Sequence, residues 1–179
     1  MNVCVYGAAS DNIKQEFKTA GEFLGQRIAE RGHSLVFGGG AAGLMGAAAR
    51  GVYAKGGKML AVVPSFFNVD GVLFEHSTET IFTETMRERK RILEDSSDGF
   101  IITPGGIGTF DEFFEILTLY SLKCHKKPIA IYNTSGYYDA LINMLKMGVE
   151  EKFIGQNVLE ICFVSSDADE ILDYLEKNA

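Results

Sequence analysis

Positive charge is in short supply in this sequence: 17 lysines and arginines face 24 aspartates and glutamates, for a formal charge of −7. A nucleic-acid binder draws most of its affinity from neutralising phosphates and carries a basic stripe or tail to do so. No such stripe or tail is present, so nucleic acid is set aside as a partner. A small anionic ligand needs only a local positive site and stays open. Cysteine is scarce as well. Cys4, Cys124 and Cys162 stand far apart in or beside apolar runs, and no CxxC or His/Cys cluster accompanies them. An odd, scattered set argues against a disulfide framework and gives no metal site. Buried free thiols in a reducing compartment are expected instead. No apolar run approaches the roughly 18 residues of a membrane span. The opening residues 1–7 lack both a basic n-region and a long apolar h-region, so a cytoplasmic protein without signal peptide is expected.

Proline is rare, at three residues, but glycine reaches 20 in 179. Such an excess asks for tight turns or close ligand approach, because glycine is free of the Cβ restriction. Short apolar runs that end in glycine or proline alternate with segments of helical period. Strands are expected at residues 3–6, 34–37, 59–63, 99–103, 128–132 and 159–164. Helices are expected at 13–28, 44–55, 84–96, 110–122, 137–147 and 167–177. Residues 65–82 are the least legible, with a short strand near 78–82. Strands without apolar/polar alternation, joined by helices of ten or more residues, imply a mostly parallel sheet covered on both faces. The expectation is one α/β domain over residues 1–179, doubly wound and Rossmann-like. Ligands of such sheets bind beyond the carboxyl ends of the strands.

Two glycine-rich loops fall there. In the first, Gly38, Gly40 and Gly43 fit G-x-G-x-x-G, the dinucleotide fingerprint. The acid that should follow for the ribose hydroxyls is displaced, the nearest being Asp70. A dinucleotide site, tight strand–helix packing and one wall of a nucleotide pocket all remain open. The second loop, residues 104–109 (PGGIGT), passes from strand to helix. Its glycines let backbone N–H groups approach an anion at a helix N-terminus. The lysine of a Walker A loop is missing, so a single phosphate suits the loop better than a triphosphate. Glu112, three residues after Thr109, has two compatible readings. One is a capping box with Thr109 as N-cap, and the other is a carboxylate held beside the phosphate. Upstream, Met86, Arg89, Lys90 and Leu93 share one helical face. Arg89 and Lys90 interrupt its apolar stripe, and a cation removed from water needs an anionic partner. A ligand phosphate and a local ion pair both satisfy that need.

These residues together resemble a known family. Arg89-Lys90 followed by residues 104–112 (PGGIGTFDE) is similar to the R-K and PGGxGTxxE signature of the Lonely guy (LOG) family, cytokinin riboside 5'-monophosphate phosphoribohydrolases long labelled lysine decarboxylases. Residues 38–46 (GGGAAGLMG) and 136–139 (GYYD) resemble two further family elements. Residues 7–10 (GAAS) depart from the usual Cys-Gly-Ser run. The resemblance implies a homodimer that hydrolyses the N-glycosidic bond of a purine nucleoside 5'-monophosphate, without metal or cofactor. It implies Glu112 and Arg89 as catalytic residues. It further implies Met86, Lys90, Gly105, Gly106, Gly108, Thr109, Gly39 and Ser10 as substrate-binding. A nucleotide or cofactor carrier without catalysis is the alternative on the same fold.

Overall fold

The computed structural model describes residues 1–69 and 71–179. The sheet is built from β1 (Asn2–Tyr6), β2 (Ser34–Phe37), β3 (Met59–Pro64), β4 (Glu79–Thr83), β5 (Gly99–Ile102), β6 (Ile129–Tyr132) and β7 (Cys162–Ser165). Their order is β4-β3-β2-β1-β5-β6-β7, and every neighbouring pair is parallel. The chain winds outward from β1 to β4, then crosses back to place β5 on the other side of β1. That reversal opens a crevice at the carboxyl ends of β1 and β5, where open α/β sheets bind ligands.

Alternate strand residues feed two cores, as the period of two requires. Val3, Val5, Leu35, Phe37, Ala61 and Val63 pack under α1 (Gln15–Glu30), α2 (Gly43–Ala54) and α7 (Ala168–Asn178). Cys4, Tyr6, Val36, Val62, Phe100 and Ile102 face α3 (Met86–Asp95), α4 (Ile107–Ser121), α5 (Asp139–Glu150) and the short α6 (Val158–Ile161). Both faces are therefore covered, and the apolar strands need no polar side.

The α1–α2 contact depends on small residues. A Cβ on Gly25 would overlap the backbone carbonyl of Ala48, and one on Gly51 that of Glu22. Gly25→Ala gains up to about 1 kcal/mol of helix propensity. Forcing the two backbones apart costs about 1–3 kcal/mol, and a carbonyl cannot rotate away as a side chain can. The expected result is a lower melting temperature for Gly25→Ala; an unchanged or higher one would show that the helices separate freely.

Several expected elements shift. Helix α4 begins at Ile107 with Gly106 as N-cap, three residues earlier than expected. Residues 159–161, expected as strand, form the end of α6, and only Cys162 onward pairs with β6. Cys4 is buried as expected, but Cys162 is half-buried and Cys124 exposed. Cys124 follows the turn that ends α4, where Lys123 takes a positive φ of 63°. Residues 65–82 resolve into a 3₁₀ turn (Ser65–Phe67), a crossing segment and β4. Within that stretch Asp70, the displaced candidate for a ribose acid, lies outside the described residues. Among the described residues no helix is long and apolar enough to cross a membrane.

Candidate active site

At the β1/β5 crevice lies a cavity of about 410 Å³. Its charged floor is a pair from two different helices. Arg89 of α3 donates from Nη1 to Oε1 of Glu112 on α4 at 2.6 Å, and from Nε to the Val62 carbonyl at 3.2 Å. Both side chains are almost fully buried, at 8% and 9% exposure. Burial pushes the Glu112 carboxyl up, and the Arg89 charge pulls it back only in part. The site therefore holds a desolvated carboxylate with one strong partner, placed where a ligand can reach it. Gly38 makes room for this arrangement, since a Cβ there would overlap the Arg89 guanidinium.

The capping-box reading of Glu112 does not survive. With Gly106 as N-cap, Thr109 occupies the third helical position and Glu112 the sixth, too far along to reach back to the cap. The glycines at 105 and 106 let the helix start early. A capping arrangement occurs instead on α3, where Thr85 accepts from the Glu88 N–H and Glu88 accepts from the Glu84 N–H. Gly106 has no side chain with which to cap α4, so the first-turn N–H groups are available to an anion. Gly106, Gly108 and Thr109 of that turn line the cavity.

Outside hydrogen bonds fix the loop in place. Tyr137 donates to the Gly105 carbonyl at 2.6 Å, and Tyr138 donates to the Thr103 carbonyl at 2.7 Å. Thr103 in turn donates to the Tyr6 carbonyl at 2.8 Å. The Ala8 N–H reaches the Pro104 carbonyl at 3.0 Å, which ties residues 7–10 to the same loop. Asp11 accepts from the Gly43 N–H at 2.9 Å, and this bond holds its carboxyl below the usual range.

Of the residues named from sequence, Arg89, Glu112, Met86, Gly106, Gly108, Thr109 and Ser10 come together around the cavity. Three stand outside the wall. Gly105 lies behind it, where a Cβ would overlap the Thr109 side chain. Gly39 has φ of 79° and gives its carbonyl to the Phe74 N–H, so its glycine serves a backbone turn. The Lys90 ammonium is held by Asp111 at 2.9 Å and by Glu115, which is the local ion pair. In the first glycine loop, Gly38 and Gly40 line the cavity while Gly43, with φ of 65°, packs on the Ala8 backbone.

Sequence reasoning missed the apolar wall. Phe67 comes from the 3₁₀ turn after β3, Val72 and Leu73 from the crossing segment, and Met45 from α2. The segment is pinned by a ladder to the glycine loop, with Ala41 N–H to Val72 and Phe74 N–H to Gly39. Periodicity has little to report in such a stretch, because Phe67 and Val72 stand exposed at the cavity while Leu73 and Phe74 only abut the edge of the core. Asp111 was missed as well, although it adjoins Glu112 and also lines the cavity. Beneath the site burial pushes the Cys4 thiol up to about 12, so it is no nucleophile at neutral pH.

Residues 45–175 match the family model described as possible lysine decarboxylase. The probable cytokinin riboside 5'-monophosphate phosphoribohydrolase LOGL5 of Oryza sativa subsp. japonica is 36% identical, over 98% of this chain and 71% of the relative. The cytokinin riboside 5'-monophosphate phosphoribohydrolase LOG2 of Arabidopsis thaliana is 33% identical, over 98% and 82%. Among solved structures, the molybdenum cofactor carrier protein from Chlamydomonas reinhardtii shares the fold with a TM-score of 0.70 at 21% identity, covering 98% of this chain and 96% of that one. With the signature residues gathered at one crevice and relatives aligned across nearly the whole chain, the protein belongs to the LOG family.

Proposed function

We propose that this protein hydrolyses the N-glycosidic bond of purine nucleoside 5'-monophosphates, AMP or an N6-substituted analogue, giving free base and ribose 5-phosphate. The observation that carries the reading is the buried Arg89–Glu112 pair on the cavity floor, with Glu112 in the second turn after the uncapped start of α4. A 5'-phosphate on the N–H groups of Gly106, Gly108 and Thr109 leaves the sugar lying along α4 toward Glu112. Cleavage builds positive charge on the sugar, which the Glu112 carboxylate stabilises as it orients or activates water. Arg89 positions that carboxylate and the nucleotide, and offers a donor to the departing base. The base lies toward the apolar wall of Met45, Phe67, Val72, Leu73 and Met86, where aromatic and thioether groups accept a flat ring. The reaction runs in the cytoplasm and asks for no cofactor.

The description carried by the family model suggests pyridoxal-phosphate chemistry, which needs a lysine for the Schiff base. Among the described residues the cavity wall includes no lysine, and Lys90 is held outside by two carboxylates. The residues present do not fit that cofactor.

The test compares AMP with adenosine. If the α4 turn holds the phosphate, remote binding energy orients the reacting bond and AMP is cleaved far faster. Equal rates on the two would remove the cradle from the mechanism. A carrier, the alternative, retains AMP and releases no adenine. The protein is also expected to be a homodimer, with Ile107 and Leu122 at the two ends of α4 left 82% and 68% exposed. Sedimentation should give about twice the 19.6 kDa chain mass; a fully active monomer would contradict it.

A further inference from the structure

Helix α3, which carries Arg89, is thinly anchored. Of its ten residues only Arg89 and Leu93 are buried, and its last turn holds Glu94 and Asp95 with no basic residue. Carboxylates at a helix C-terminus oppose the dipole, which favours a cation there. Helix α4, by contrast, sinks Phe113, Ile116 and Leu117 into the core. The position of Arg89 relative to Glu112 therefore depends on what ties the less buried helix to the more buried one. On the cavity side the ties are the Arg89–Glu112 bond itself and the Lys90 pairs. Toward the other end of the two helices the tie is made by residues 125–127.

His125 is 9% exposed and lies against the rings of Phe100 and Tyr120, with centroids 5.7 and 5.5 Å away. Its Nε2 is 2.9 Å from the carbonyl of Ile116, in the second half of α4. A carbonyl only accepts, so Nε2 carries the proton. The Nδ1 of the neutral ring then accepts from the Lys127 N–H at 3.2 Å. With its backbone held in this way, Lys127 sends its side chain across to α3, where Nζ donates to the Glu94 carbonyl at 2.6 Å. The ammonium supplies the cation that the end of α3 lacks. Glu94 lies five residues beyond Arg89, about 7.5 Å along the helix axis. The next residue in the chain, Pro128, is fixed in turn, because its carbonyl accepts from the Phe100 N–H of β5 at 3.0 Å.

We propose that His125 and Lys127 form a clasp between α4 and α3 that sets the spacing of the Arg89–Glu112 pair, and so act as positioning residues for the hydrolysis. The inference rests on the hydrolase reading above. Neither residue lines the cavity, so neither touches the nucleotide. With the clasp closed, α3 is held near both ends and Arg89 stays against Glu112. With it open, Leu93 is the one buried apolar anchor left to the helix, and α3 can tilt. A displacement of about 1 Å at a reacting group is enough to cost roughly a hundredfold in rate.

The experiment measures Kd for AMP, kcat, and the acid limb of kcat/KM on the wild type, Lys127→Met, Lys127→Arg and His125→Phe. Methionine keeps the apolar stem and removes the ammonium. Phenylalanine keeps a ring beside Phe100 and Tyr120 and drops both hydrogen bonds. Lys127→Met should lower kcat by roughly tenfold to a hundredfold, with AMP affinity nearly unchanged because the phosphate rests on α4. Arg89 then opposes the effect of burial on Glu112 less firmly, so the acid limb should move to higher pH. Lys127→Arg, which still donates to the Glu94 carbonyl, should restore both quantities. His125→Phe should act in the same direction as Lys127→Met. Combined, the two changes should cost less than the sum of their separate effects, as members of one unit do. A lower melting temperature with wild-type kcat and acid limb would make the clasp merely structural and overturn the proposal. A wild type that releases no adenine refutes hydrolysis alone. The clasp is then read from Glu112 directly, by an NMR titration of its carboxyl. A higher midpoint in Lys127→Met sustains the proposal, and an unchanged one overturns it.

Discussion

Replacing Glu112 by Gln is expected to lower adenine release from AMP by at least about a hundredfold while the protein still folds and binds AMP. Glutamine keeps the size of the side chain and an oxygen that can accept from Arg89. What it loses is the negative charge opposite the developing sugar cation, and electrostatic or general-base roles of this kind account for about 10²–10⁴ in rate. The buried Arg89 then faces a neutral partner, so a drop of several degrees in melting temperature is also expected, offset in part because a neutral amide costs less to bury than a carboxylate. A titration of the wild type gives an independent check. In the proposed mechanism the carboxylate is the active form, and burial raises its pKa, so protonation begins at a higher pH than for an ordinary glutamate near 4.3. The acid limb of kcat/KM should lie above that value. Turnover by Glu112→Gln within a few-fold of wild type would move the catalytic role elsewhere.

Removing Arg89 should have the largest effect on the molecule as a whole. Arg89→Ala leaves a buried carboxylate without its partner and removes the side-chain donor to the Val62 carbonyl, a change that costs about 3–5 kcal/mol. Arg89→Lys retains charge but cannot reach both acceptors in one planar fork, so it should fold better and still lose most activity. The sign of the pH effect follows from the same pair. Arg89 pulls the Glu112 pKa down against burial, so without it burial acts unopposed and the pKa rises further. Whatever activity remains in Arg89→Lys should therefore show its acid limb at a pH no lower than wild type, and in Arg89→Ala clearly higher. A limb displaced toward lower pH would mean that Arg89 does not hold Glu112 in the charged state. Chemical denaturation and a pH profile on the same preparations read both consequences.

The five inner strands were legible in sequence because each is almost wholly buried and each is bounded by glycine or proline, whereas the half-exposed edge strands β4 and β7 carry neither signal. Residues 34–37 and 59–63 needed nothing more. Where expectation and structure part, the cause is local. The start of α4 moved from 110 to Ile107 because glycine at 105 and 106 reads as loop but also permits an uncapped helix to begin there. That shift takes Glu112 out of capping reach and leaves it on the cavity wall. The Arg89-Lys90 pair could not be apportioned from spacing. Adjacent positions on a helix differ by about 100°, enough to send one cation to the floor of the cavity and the other to a surface carboxylate network. Phe67, Val72 and Leu73 had no periodic signal at all, since Phe67 ends a 3₁₀ turn and Val72 and Leu73 belong to a crossing segment held by two backbone hydrogen bonds to the glycine loop. The tyrosines of residues 136–139 were noted only by family resemblance. Their use as donors to the Gly105 and Thr103 carbonyls is a tertiary contact over more than 30 residues, which no local pattern encodes.

In the proposed reaction the crevice breaks the bond between base and sugar with water. The most direct test is to incubate purified wild-type protein with AMP and quantify adenine and ribose 5-phosphate together over time. The expected result is catalytic release of the two products in a one-to-one ratio, many turnovers per chain, with adenosine left essentially intact under the same conditions. AMP that stays bound and unbroken, recovered whole after denaturing the protein, would contradict the account and leave a carrier in its place.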